Sequence, residues 1–181
     1  LYVNIEGDTP TQRQEVWSIY QIRKIIPERR LVKLDAKTGQ FLWQVHDPKG
    51  DEEAFANKAS FMSPPVIWGK YLYVGATELK GLFNSYVVAV HPKDGKIMWK
   101  TLIGSAQQEL NMFGRPVREA VGSAIVVGDG RLYFLTNLGA FCSVEPLTGR
   151  ILWLYLYHRI PLSPPRRALF TTIYRATGWY N

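Results

Sequence analysis

Apolar residues recur along the chain in short runs rich in aromatic and β-branched side chains, and Gly, Pro or Asp closes most of them. Residues of this kind suit a half-buried pleated surface, so the pattern predicts strands. The runs fall into units of four, here A to D. Strand A is expected at 64–68 and 123–127, B at 1–5, 71–76 and 131–136, C at 30–35, 85–91 and 140–145, and D at 41–46, 96–103 and 150–157. Gly69-Lys70 and Gly128-Asp129-Gly130 supply the tight turns from A to B, because Gly reaches positive φ without steric cost.

The units repeat. Leu34-Asp35-Ala36-Lys37-Thr38-Gly39-Gln40-Phe41-Leu42-Trp43 recurs as Val90-His91-Pro92-Lys93-Asp94-Gly95-Lys96-Ile97-Met98-Trp99 and again as Val144-Glu145-Pro146-Leu147-Thr148-Gly149-Arg150-Ile151-Leu152-Trp153. Gly and Trp keep the same offset in all three copies. A four-stranded unit cannot bury both faces alone, and radial stacking solves that problem. The expected fold class is therefore all-β: part of a β-propeller built of four-stranded antiparallel blades, about three of them present, with loop insertions on one face. The expected layout is a blade over 1–46 lacking strand A and carrying an insertion at 6–29, then blades at 64–103 and 123–157. Ser163-Pro164-Pro165 echoes Ser63-Pro64-Pro65, so 158–181 is expected to begin a further blade or form a tail. Three blades fall below the usual four to eight and would leave exposed edges, so a fragment, a subdivided chain or a member of a larger assembly is expected.

Composition narrows the chemistry. The chain has 181 residues, is 46% hydrophobic and carries a formal charge of +7, enough for a buried core and a diffuse bias towards acidic partners. One cysteine, Cys142, excludes an internal disulfide, a CxxC redox pair, a Cys-rich zinc site and a haem-attachment motif. Apolar stretches such as Ile151 to Tyr157 fall far short of the ~20 residues that span a bilayer. Leu1-Tyr2-Val3-Asn4 lacks an initiator Met and the basic and apolar regions of a signal peptide, and an internal piece of a longer chain is expected.

In an antiparallel meander the A–B and C–D turns emerge at one end and the B–C and D–A connections at the other. The first set is short; the second holds the long excursions 6–29, 47–63, 77–84 and 104–122. Binding usually resides in such loops on a rigid frame. The candidate interaction loop comprises Trp17, Tyr20, Arg23, Lys24, Arg29 and Arg30, a basic-aromatic set suited to a macromolecular partner, set against packing over its own blade. Segments 51–59 and 105–113 read as short helices, the second with Ser105 and Gln108 spaced as a capping box. Basic residues are scattered through every unit, so nucleic acid is not an expected partner. His46, His91 and His158 occupy unrelated phases of the repeat and define no common metal site. Glu78, Asn137, Glu119 and Asp129 are oxygen donors, but Asp129 belongs to the opposite end.

The D-x-x-T-G-x-x-x-W signature after a hydrophobic strand resembles the tryptophan-docking motif of the PQQ-like propellers, which include quinoprotein alcohol dehydrogenases and BamB-like outer-membrane assembly lipoproteins. The resemblance covers about residues 1–157, with the weaker echo reaching 165. It implies that Trp43, Trp99 and Trp153 pack between neighbouring blades, that Gly39, Gly95 and Gly149 are turn residues, and that Asp35 and Glu145 cap the C–D turn. The second copy departs, with His91 at the Asp position and Asp94 in place of Thr, and weaker turn hydrogen bonding is expected there. The resemblance also implies an exported, periplasmic location. Two functions follow from it. One is a non-catalytic scaffold with no cofactor, presenting loops to a protein or other macromolecule or completed by further blades. The other is a fragment of a PQQ- and calcium-dependent dehydrogenase, which needs an axial cofactor pocket, a metal as Lewis acid and a catalytic Asp. The vicinal Cys pair of many such enzymes is missing here, no residue aligns with the metal-binding set, and the scaffold is the preferred reading.

Overall fold

Period-two alternation of these side chains builds three antiparallel sheets in the computed structural model, which describes residues 1–6, 29–48, 55–80, 82–107 and 122–157. The first sheet is a meander of β1 (Tyr2–Glu6), β2 (Arg29–Leu34) and β3 (Phe41–Gln44). A single helical turn, α1 (Phe55–Lys58), leads into the second sheet of β4 (Ser60–Phe61), β5 (Val66–Trp68), β6 (Tyr71–Lys80), β7 (Leu82–Val90) and β8 (Ile97–Ala106). The third holds β9 (Val126–Gly128), β10 (Arg131–Leu135), β11 (Ala140–Val144) and β12 (Ile151–Leu156). The chain is thus all-β, with the sheets as consecutive propeller blades. Among the described residues no helix is long and apolar enough to cross a membrane.

The middle blade is buried on both sides, and for that reason β6 reads as a nearly continuous apolar run. Leu72, Val74, Val88 and Val90 pack against Leu31, Trp43 and Val45 of the first blade. On the opposite face, Tyr73, Val87 and Ala89 meet Leu132, Phe134, Cys142 and Val144 of the third. Glycine permits the closest approach: a Cβ on Gly75 would lie 2.8 Å from the Phe134 ring. Ser63, fully buried, joins two blades, its hydroxyl accepting from the Gly75 amide at 2.6 Å and its carbonyl from Asn4 Nδ2 at 2.6 Å.

Several expected boundaries are corrected. Strand A of the middle blade is two pieces, β4 and β5, both paired with β6, because Pro64 and Pro65 between them have no N–H to donate. Residues 77–84 are not a loop. β6 and β7 stay in register from Leu72↔Val90 to Lys80↔Leu82, so this connection is a projecting hairpin. β8 continues to Ala106 beside it, and Ser105 lies in that strand with its hydroxyl donating to Asn84 Oδ1 at 2.6 Å. The expected helix cap at Ser105 is therefore absent; Gln108 and the rest of that helix lie outside the described residues. Of the helix expected at 51–59, Phe55–Lys58 is helical and 51–54 lie outside the described residues. Gly128 belongs to β9, leaving Asp129 (φ 46°) and Gly130 (φ 71°) as a two-residue turn with positive φ at both centres.

A β-bulge recurs at one place in every blade, between Lys33 and Leu34, Ala89 and Val90, and Ser143 and Val144. Each time the extra residue sits on the outer strand just before the tryptophan: Leu42, Met98 and Leu152. The bulge bends the outer strand where the C–D turn begins.

Candidate functional site

The three C–D turns share a backbone frame. Asp35, His91 and Glu145 each accept the amide of Gly39, Gly95 or Gly149 at 2.9 Å, and each donates to the carbonyl of Gln40, Lys96 or Arg150 at 2.8 Å. The glycines stand at φ 70°, 82° and 75°. Side chains complete the turns differently. Asp35 Oδ1 accepts from the Lys37 amide (2.8 Å), the Thr38 amide (2.9 Å) and the Thr38 hydroxyl (3.1 Å), which holds its carboxyl below the usual range. Glu145 accepts the Thr148 hydroxyl at 2.5 Å. In the second copy His91 Nδ1 lies 2.9 Å from Asp94 Oδ1, and Asp94 accepts the Lys96 amide at 3.1 Å, so the aspartate does the work of the threonine. The Lys96 amide bond is the first cause of the lowered Asp94 pKa, with His91 adding to it.

Above the second and third turns lies the tryptophan of the preceding blade. A Cβ on Gly95 would fall 2.6 Å from Trp43 Cε3, and one on Gly149 would fall 2.6 Å from Trp99 Cε3, so the rings occupy the space a side chain would need. Each tryptophan has a tyrosine partner two strands away, across Lys33, Ala89 or Ser143. Tyr2–Trp43, Tyr73–Trp99 and Tyr133–Trp153 have ring centroids 5.8, 5.9 and 6.1 Å apart at interplanar angles of 43°, 41° and 45°. The Pro146 carbonyl accepts from both Tyr73 Oη and Trp99 Nε1 at 3.1 Å. The Pro92 carbonyl accepts from Tyr2 Oη (3.3 Å) and Lys33 Nζ (3.1 Å), and Trp43 Nε1 is buried without a partner. The turn-glycine carbonyl is used as well: Gly95 O accepts the His46 amide at 3.0 Å and Gly149 O the Thr101 hydroxyl at 2.6 Å. The first and third copies each lack one half of this contact among the described residues: nothing lies within 4 Å of the Cβ position of Gly39, and Trp153 is 37% exposed against 8% for Trp43.

At the other end of the blades the chain leaves β1 at Glu6 and re-enters β2 at Arg29. Arg29 donates its amide to Ser60 Oγ at 3.0 Å. Arg30 grips α1: Nη1 donates to the Ala56 carbonyl at 2.7 Å and the Ala59 carbonyl at 3.2 Å, and Nη2 to the Asn57 carbonyl at 2.7 Å. A cation at the C-terminal carbonyls of a helical turn satisfies acceptors that have no partner within it. Asp47 Oδ2 accepts the Ala56 amide at 2.5 Å. Phe55 then stacks edge-on against Tyr86 (4.9 Å), and Lys100 Nζ lies over its ring, 4.0 Å from the centroid. Tyr86 Oη donates to Glu78 Oε2 at 3.2 Å, and burial raises its pKa, with the Glu78 charge adding to it. Arg29 and Arg30 thus anchor backbone, while Trp17, Tyr20, Arg23 and Lys24 lie outside the described residues.

The sequence pattern did not single out Tyr2, Tyr73, Tyr133 or the carbonyls of Pro92 and Pro146. The signal was present, since a tyrosine stands at one position of strand B in all three repeats. Of the oxygen donors considered, Glu78 is engaged by Tyr86, Asp129 lies in the β9–β10 turn and Glu119 lies outside the described residues. His46 forms a bridge with Lys96 beside the turn that His91 opens, with its ring nitrogen 3.4 Å from the Gln44 carbonyl while that of His91 faces Asp94, and His158 is not among the described residues. Among the described residues no three His, Cys, Asp or Glu side chains stand together as cation ligands. Cys142, fully buried, has its thiol pushed up to about 11 by desolvation.

A family model described as outer membrane protein assembly factor BamB matches residues 8–172. No curated protein sequence matches. Among solved structures, BamB from Moraxella catarrhalis is similar at 19% identity and a TM-score of 0.31, over 69% of this chain. The chain spans 46% of that protein.

Proposed function

The chain belongs to the BamB family of PQQ-like repeat proteins, and from that premise we propose that it is a non-catalytic β-propeller scaffold, exported to the periplasm or an equivalent compartment. In this reading it holds a protein or other macromolecular partner at the end of its blades opposite the C–D turns. The observation that carries the reading is the asymmetry of the two ends. At one end the C–D turns are closed on themselves by their own hydrogen bonds, and two of the three are covered by the tryptophan of the preceding blade. The other carries the β6–β7 hairpin, whose Leu79 and Leu82 are exposed near its tip, and the Arg30–α1–Tyr86–Glu78 chain of contacts that steadies its base. Apolar side chains on a pre-organised projection favour binding because little ordering is left to do.

Photo-crosslinking in the source cells tests this. A photoreactive residue replacing Leu79 is expected to give a discrete protein adduct, and one replacing Lys37 at the turn end is not. Adducts from Lys37 alone would overturn the placement. Redox-active quinone in stoichiometric amount, with calcium-dependent thermal stability, would replace the scaffold reading with the dehydrogenase one.

A further inference from the structure

The A–B and C–D turns of a meander emerge at the same end, and there each blade presents exposed cations: Lys37 in the first, Lys70, Lys93 and Lys96 in the second, Arg131 and Arg150 in the third. The carboxylates beside them are largely drawn back into their own turns. Asp35 accepts two amides and the Thr38 hydroxyl. Asp94 accepts the Lys96 amide and faces His91 Nδ1, and Glu145 accepts the Thr148 hydroxyl with Arg150 Nε 3.6 Å away. Asp129 alone of the four has no such bond among the described residues. Lys37, Lys70, Lys93, Lys96 and Arg131 form no ion pair among the described residues.

Apolar side chains stand among these charges. Leu147, 59% exposed, holds the tip position that Lys37 and Lys93 occupy in the other C–D turns. Trp68, 39% exposed, leads into the Gly69-Lys70 turn. It shares a strand face with Val66, which packs on the core formed with the third blade, so Trp68 is exposed although β9 of that blade is in place.

We propose that this turn end lies on the surface of an anionic lipid bilayer, with its lysines and arginines among the headgroup phosphates and Trp68 and Leu147 at the boundary with the acyl chains. Charge selects the occupant: six exposed cations face four carboxylates, three of them engaged within turns. Spread over three blades, these cations match a broad charged surface, to which each contributes separately. An indole is favoured at headgroup level because its ring is apolar and its N–H polar. The hairpin end stays free for a macromolecular partner, and the membrane contact does not depend on one.

Flotation of the full chain with lipid vesicles provides the test, with far-UV circular dichroism to show that each variant is folded. The wild type is expected to float with vesicles of phosphatidylglycerol and phosphatidylethanolamine in equal parts, and not with vesicles of phosphatidylcholine. Added salt is expected to release it, because exposed charges are screened. Lys70→Gln and Lys93→Gln are each expected to weaken binding about fivefold, the contribution of one cation at an anionic membrane surface. Lys80→Gln, the same loss of charge at the hairpin, is expected to leave binding unchanged. Failure to float with the anionic vesicles would overturn the proposal. An equal loss in Lys80→Gln would also overturn it, since diffuse charge would then be the cause. So would displacement from the vesicles by single-stranded DNA at matched phosphate concentration, which would make the turn end a general polyanion site.

Discussion

Gly39 and Gly149 share a turn type, a backbone conformation and a backbone hydrogen-bond frame, and among the described residues differ in that Trp99 and Thr101 sit on Gly149 alone. The pair therefore separates the contribution of docking from that of the turn. Asn accepts positive φ at small cost, so Gly39→Asn is expected to change the urea midpoint of dilute protein little, whereas Gly149→Asn must displace Trp99 and lower it markedly. Equal effects would show that the ring contributes nothing. Trp99 is partly buried, so Trp99→Ala is expected to cost about 3 kcal/mol, the lower end of the range for core aromatic truncations. Trp99→Phe keeps most of the area but loses the bond to Pro146, at about 1 kcal/mol. Trp43 has no such bond to lose. Lys33 occupies the carbonyl it would use, where Ala89 in the next blade leaves room.

Among the elements, α1 is the least self-sufficient. One turn of helix closes few hydrogen bonds of its own, and Arg30 supplies partners to three carbonyls around its end. Arg30→Ala is expected to destabilise by about 1–3 kcal/mol, the scale of lost charge-assisted bonds to partly buried groups, and to quench Phe55–Tyr86 packing, seen as loss of near-ultraviolet dichroism. Arg30 read as a surface contact in the sequence because two adjacent arginines carry no sign of what they face. The repeat itself was legible: Gly, Trp and alternating apolar residues placed the strands and the C–D turns. What escaped was length and interruption. Nothing in Thr77-Glu78-Leu79-Lys80 distinguishes an extended hairpin from a loop until the partners Leu82 to Ser85 are seen opposite them. The bulge residues Leu42, Met98 and Leu152 likewise depend on cross-strand register, which the sequence of one strand does not contain.

For the molecule as a whole, pH acts from both sides. Asp35 and Asp94 have folded pKa values below the ordinary 3.8, so their contribution is present above that value and fades as pH falls through it and below. Cys142 (about 11, ordinarily 9.0) and Tyr73 (about 12, ordinarily 10.0) are shifted upward by burial. The folded state then retains protons that the unfolded state releases, so stability holds below pH 9 and declines as pH rises towards 11–12. A urea-midpoint profile that is flat through the middle and falls on both flanks is expected, with Cys142→Ala making the alkaline decline shallower. An alkaline flank unchanged in that variant would place the loss elsewhere.

Because, among the described residues, the central blade is the one packed on both faces, the three sheets behave as a chain of nearest neighbours in which the inner member leans on two described partners and each of the others on one. Fraying then costs least at the margins. Amide hydrogen exchange should be slowest in β6 and β7, quicker in β1 to β3 and β9 to β12, and the order should persist when the protein is diluted. The middle sheet is the last to let go and, on refolding, a natural seed for the others.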